Sequence, residues 1–261
     1  MRHYDVVLEH MPHIEIGAEK LFSVLGFPVT NALVTSWIVV ALLLFVSWRM
    51  SRGLAAVPQM LQNLLEFFVD GFVAMSEGIL GSRAAAEKYF PLIATSFLFI
   101  LTSNWLGIFP GVGSVGFYEM QDGARKFVPF FRSAASDINT TLALATITVF
   151  LIHMFAVGAI GIRAHIGKFF TFKGPIEFFV GILELVSEFA KIISFSFRLF
   201  GNIFAGEVLL IIIGFLAPFG APIPFLMLEI FVVFVQALVF AMLTTVFISI
   251  AVADHAGAEH H

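Results

Sequence analysis

Residues 176 to 217 read IEFFVGILELVSEFAKIISFSFRLFGNIFAGEVLLIIIGFLA. The stretch has no proline, and at about 1.5 Å per residue it extends ~60 Å as one helix, twice the ~30 Å of bilayer hydrocarbon. Such a helix tilts steeply, bends at Gly201, Gly206 or Gly214, or lies nearly in the membrane plane against something that shields it. Phe225 to Ala253 is over-long as well, about 42 Å, and the Pro218 to Pro224 turn joins the two. The pattern predicts a pair of long slanted helices in an all-α integral membrane protein.

Working outward along the chain, Ala32 to Trp48, Phe90 to Phe109 and Ile138 to Ile162 are apolar enough to be three further spans. The expected architecture has about five membrane helices, over residues 30–49, 90–109, 138–162, 176–217 and 224–253, in one membrane domain covering 29–261. Residues 1–28 are expected to be a retained tail, because they lack the basic start, apolar core and small-residue cleavage site of a signal peptide. In residues 57–80, Gln59, Gln62, Asn63, Glu66, Asp70 and Glu77 recur at helical spacing opposite Leu, Phe, Val and Met. That predicts an amphipathic helix at the membrane interface. Gly111 to Arg132 reads as a loop. Arg49, Arg52, Arg83, Lys88, Arg163, Lys168 and Lys173 fall on one side and Arg2, Lys20, Arg125, Lys126 and Arg132 on the other. The bias puts the N-terminus outside and the C-terminus in the cytoplasm.

Composition narrows the function classes. Hydrophobic residues make up 59% of 261 and charged ones 12%, with 33 Phe, and the mean hydropathy is +0.99. Such a chain needs lipid or a partner to cover it. The formal charge of −4 with no basic patch argues against nucleic acid, and the absence of cysteine excludes disulfides and thiol catalysis. His10, His13, His153 and His165 show no metal-ligand spacing, and His255, His260 and His261 belong to the terminal segment.

Inside the long helix, Glu184, Ser187, Glu188, Lys191, Ser194 and Asn202 fall within about 80° of Arg198's direction and make one stripe with it. A charge at mid-membrane costs from ~2.5 to over 10 kcal/mol, so the stripe faces water, protein or both. Glu184, Glu188 and Lys191 also fit a salt-bridge ladder that only anchors the helix at the interface. Arg198 has no acidic residue one turn away, and its partner is expected on another subunit. Glu207 points to the opposite side of the helix, while Glu229 and Gln236 share a face of the last one. Carboxyl groups at that depth are candidate proton carriers, the alternative being hydrogen bonds within the bundle.

Ser196-Phe-Arg198-Leu-Phe-Gly-Asn202-Ile-Phe-Ala-Gly-Glu207 resembles the signature helix of the F-type ATP synthase a subunit family. Gln236-Ala-Leu-Val-Phe-Ala-Met-Leu-Thr looks like its second signature, and Ser136-Asp137-Ile-Asn139-Thr-Thr resembles the start of its third span. Glu184 and Lys191 also sit at matching offsets, so the resemblance covers residues ~90 to 253 well and the rest in layout. It implies a non-catalytic proton-translocating stator subunit without cofactor or metal, beside the c-ring, the peripheral-stalk subunit b and the rest of the synthase. Arg198 then faces the c-ring carboxylate, flanked by Asn202 and Gln236. Glu207, Glu229, Asp137 and Asn139 line an outer half-channel, and Glu184, Ser187, Glu188 and Ser194 border an inner one. Glu229 stands where some bacterial members have His, which leaves the proton order between it and Glu207 open. Protons are the expected ion, with Na+ open, and a bacterial plasma membrane is the expected location. An ion-coupled secondary transporter is the alternative function, and an intramembrane enzyme a more remote one.

Overall fold

The computed structural model describes residues 17–52, 60–121, 124–169 and 174–253. Among the described residues there are seven α-helices: α1 (Asn31–Ser51), α2 (Met60–Leu80), α3 (Arg83–Ile108), α4 (Ile138–Ile160), α5 (Ile162–Phe169), α6 (Pro175–Leu216) and α7 (Pro222–Ala253). Five of them, α1, α3, α4, α6 and α7, are long and apolar enough to cross a membrane. The protein is therefore an all-α, multi-pass membrane protein.

Helix α3 sits at the centre of the bundle. Half of its most apolar window is buried, against 17% in α6. It packs on α7, α2 and α1, while α4 packs on α6 and α7. The core where they meet is aromatic: Phe72 against Phe97 at 4.7 Å and Phe195 against Phe240 at 4.6 Å, between ring centroids. Rings bury large area at low entropic cost and favour such tilted contacts. Several buried hydroxyls are satisfied within their own helices, as Thr148 Oγ1 donates to Leu144 O (2.8 Å) and Thr245 Oγ1 to Ala241 O (3.0 Å). In lipid no water would do this for them.

Several boundaries differ from the sequence expectation, each for a local reason. Residues 20–30, divided there between tail and first span, form an antiparallel hairpin of β1 (Lys20–Val24) and β2 (Phe27–Thr30). Its turn places Leu25 and Gly26 at φ of 52° and 85°. Leucine is rare at positive φ, so composition gave no turn signal. Thr30 ends the hairpin and caps α1, its Oγ1 accepting from Leu33 N at 3.3 Å. The segment read as a loop carries a second hairpin, β3 (Gly116–Gln121) with β4 (Ala124–Pro129), held partly by Tyr118 against Phe127 at 5.4 Å. Helix α3 begins at Arg83, well before the apolar run, because Ser82 caps it. It continues through Pro91, which removes a hydrogen bond only from the exposed end. The basic segment after Gly161, which turns the chain at φ 84°, winds into α5. Of the expected interfacial helix, 57–59 lie outside the described residues, as do His10, His13, His255, His260, His261 and Lys173.

Gly107 lets α3 approach the segment that feeds α4: a Cβ there would overlap the backbone of Ser133. The contact brings Asn104 Oδ1 within 2.5 Å of Ser133 Oγ.

Candidate functional site

Helix α6 runs unbroken for 42 residues, about 63 Å, and carries polar side chains to three levels of the bundle. At the β-hairpin end, Glu207 Oε2 accepts two hydrogen bonds from Arg132, from Nε at 3.1 Å and Nη2 at 2.9 Å. The two side chains are 19% and 14% exposed, so this ion pair is largely desolvated. Arg132 also donates through Nη1 to Gly17 O (2.9 Å) and through its amide to Thr35 Oγ1 (3.3 Å). A cavity of about 710 Å³ opens beside the pair, lined by Glu19, Phe109, Pro110, Phe204 and Ile211 among others.

Glu229, on α7, is 6% exposed and lies against Gly206 of α6. Its Oε1 has no hydrogen-bond partner among the described residues, and Glu207 is within electrostatic reach. A Cβ at position 206 would overlap the Glu229 carboxyl group. Gly206→Ala therefore forces α6 and α7 apart or turns the carboxyl away, at about 1–3 kcal/mol. We expect a lower melting temperature of the assembled complex and slower proton transport. Gly214→Ala on the same helix, with no atom within 4 Å of the new Cβ, is expected to leave both unchanged.

At the middle level, Asn202 Nδ2 donates to Gln236 Oε1 at 3.4 Å and ties α6 to α7. Arg198 is exposed, its nearest hydrogen bond running from Nη2 to Ser194 Oγ at 3.3 Å. Among the described residues no carboxylate lies within ion-pair distance of it. Ser196, two residues earlier, is buried and bonds Thr141 of α4 at 3.0 Å. The guanidinium thus leaves the bundle while its neighbour anchors the helix within it.

Toward α5 the stripe divides. Glu184 is half-buried and Ser187 exposed, whereas Glu188 turns onto α4 and α5. Glu188 Oε1 accepts from Lys191 Nζ at 2.7 Å, and its Oε2 lies 3.4 Å from His153 Nε2. His153 Nδ1 in turn lies 3.1 Å from His165 Nε2. Asp137 and Asn139 meet each other instead of Glu207: Asp137 Oδ1 accepts from Asn139 N (3.0 Å) and Nδ2 (3.1 Å), capping α4. Sequence reasoning missed Arg132 and the two histidines as site members. A lone arginine between Phe131 and the small residues 133–136 was the available signal for the first.

The family model for the ATP synthase A chain matches residues 33–249. The chain belongs to that family. The ATP synthase subunit a of Campylobacter fetus subsp. fetus is 37% identical over 220 residues, 82% of this chain and 87% of the relative. That of Moorella thermoacetica is 31% identical over 238 residues, covering 90% and 97%, and that of Geotalea daltonii 35% over 222 residues, covering 84% and 86%. As an ATP synthase A chain, the protein is the non-catalytic, proton-translocating stator subunit of the membrane sector. It works with the rest of the synthase, and the secondary-transporter alternative is set aside.

Proposed function

We propose that Arg198 separates two offset aqueous half-channels and faces the carboxylates of a c-ring running against α6. The observation that carries this reading is an exposed arginine, without a carboxylate partner among the described residues, on the span that the rest of the chain covers least. A charge so placed costs several kcal/mol in lipid unless a partner supplies the countercharge. Phe189, Ile193 and Phe197 flank it as exposed apolar surface that helices of a rotor would cover.

In this reading Glu207, Glu229, Asp137 and Asn139 serve the outer half-channel, with the 710 Å³ cavity as its mouth. Glu184, Ser187, Glu188 and Ser194 serve the inner one, and Asn202 and Gln236 fix the helix pair beside Arg198. A ring carboxylate protonated from one side enters lipid as a neutral group, and the next is drawn toward Arg198 and releases its proton to the other side. Each charge moved is worth ~2.3 kcal/mol per 100 mV, which becomes torque. Residues 29–261 act as one membrane domain in a bacterial plasma membrane, N-terminus outside and C-terminus cytoplasmic, with subunit b as the stalk partner and protons as the ion.

The chain has no cysteine, so single introduced ones are clean reporters. Phe197→Cys is expected to form a disulfide, under mild oxidation, with a cysteine introduced on the outer helix of the ring subunit, and Leu44→Cys on the exposed face of α1 is not. The reverse pattern would remove α6 from the rotor interface.

A further inference from the structure

Away from Arg198, three helices bring four ionisable groups together in a row. His165 of α5 meets His153 of α4, His153 meets Glu188 of α6, and Glu188 meets Lys191, at 3.1, 3.4 and 2.7 Å. The row borders a second cavity of about 370 Å³, lined otherwise mostly by apolar side chains including Phe150, Phe169 and Ile192. His165 is 8% exposed, and its Nδ1 has no hydrogen-bond partner among the described residues. A tie that only fastened helices together would not need two imidazoles in series, nor leave a buried ring nitrogen bare.

The contacts decide the tautomers. A neutral imidazole carries one N–H and one lone pair. With the Glu188 carboxylate at its Nε2, His153 is better placed carrying its proton there, since a lone pair would face negative charge. Its Nδ1 is then an acceptor, and His165 supplies the proton from Nε2. The remaining lone pair sits on His165 Nδ1, the bare atom. The row thus ends in a proton acceptor and is oriented throughout.

We infer that Glu188, His153 and His165 form a proton-holding relay at the inner half-channel, in which the two histidines exchange one proton with Glu188. A proton taken up at His165 Nδ1 lets Nε2 release its own to His153 Nδ1, and His153 Nε2 then releases its proton to the Glu188 carboxylate. Each transfer forms one bond to hydrogen and breaks one, so a single proton passes and both rings end in the opposite tautomer. Return along the same row resets them. Lys191 holds the Glu188 carboxylate in place at the end of the row through a 2.7 Å contact to Oε1. The inference rests on the proton path proposed above and adds His153 and His165 to it.

Burial, reinforced by the nearby His153 and Lys168 and opposed by Glu188, holds His165 below the ordinary histidine range. It therefore stays neutral and receptive near neutral pH. Once charged it accepts no further proton, so flux through the row falls as pH drops below that range. The groups acting on it are His153 from α4, Glu188 from α6 and Lys168 from its own helix, with Lys191 of α6 on the far side of Glu188.

The test is passive and ATP-driven proton flux in vesicles holding the assembled synthase, measured across pH, for wild type, His165→Gln and His153→Gln. Glutamine keeps a hydrogen-bonding amide near the ring's Nε2 and carries no exchangeable charge, so it preserves a mere tie. The expected result is assembled complexes with flux lowered about a hundredfold, the lower end of what positioned proton-transfer groups contribute, and the acid limb of the pH profile lost. Wild-type flux with an unchanged profile overturns the inference. If either variant fails to assemble, His153→Asn, whose amide mimics Nδ1, is read by the same two outcomes. Arg198→Ala run in parallel separates the levels: its pumping at the wild-type rate would sink the proposed path itself, whereas wild-type behaviour of the histidine variants alone removes only the relay.

Discussion

Arg198→Ala is expected to abolish ATP-driven acidification of inverted vesicles while leaving the subunit assembled. The side chain reaches Ser194 and no other described group, so its removal empties no internal pocket and breaks no ion pair among the described residues. What it removes is the fixed positive charge between the two half-channels. Preorganised charges in low-dielectric sites are worth about a hundredfold or more in rate, and coupling should fall by at least that factor. Passive leak is expected to survive or rise, because the barrier to direct passage goes with the charge. Arg198→Lys should restore little, since a compact ammonium on a flexible stem does not reproduce a planar, weakly hydrated guanidinium. ATP-driven pumping by the alanine variant at the wild-type rate would refute the assignment.

The contrast between Arg198 and Arg132 marks how far the sequence could be read. Arg198 was legible because it interrupts a long apolar run, and any charge there is conspicuous against lipid. The long helices were legible for the same reason: hydropathy over tens of residues overrides local propensity, and proline occurs only at their ends. Arg132 lies outside the long apolar runs, in a connecting segment where charge is ordinary, and its partner Glu207 is 75 residues away. No periodicity connects them. The histidine pair escaped similarly: His153 and His165 are 12 residues apart, on either side of the Gly161 turn, and only the packing of α5 on α6 brings Glu188 between them and Lys191. Glu188 looked like a member of a helix-surface stripe because 100° steps describe direction around an axis and not which neighbour stands there. Asp137 matched a family motif, yet its local chemistry is also that of an N-cap, a role sequence spacing does not separate from a channel one.

The Arg132–Glu207 pair yields the second large effect, and one that distinguishes stability from proton handling. Removing one member of a buried ion pair strands the other, at roughly 3–5 kcal/mol; both side chains here are partly exposed and line the cavity, which favours the lower end, about 3 kcal/mol. Arg132→Ala also frees Gly17 O and loosens the N-terminal hairpin from the bundle. The expected outcome is a markedly lower melting temperature of the purified complex and at least tenfold slower pumping, about the rate change that 1.4 kcal/mol produces. Adding Glu207→Gln to Arg132→Ala removes the stranded charge, so most of the lost stability should return. Pumping should not return with it, because glutamine at 207 accepts a hydrogen bond but carries no proton across. Recovery of both would make Glu207 a purely structural partner of Arg132 and leave Glu229 to serve the outer half-channel without it. Unchanged stability in Arg132→Ala would mean that water in the cavity already satisfies both groups, and that the pair holds nothing together.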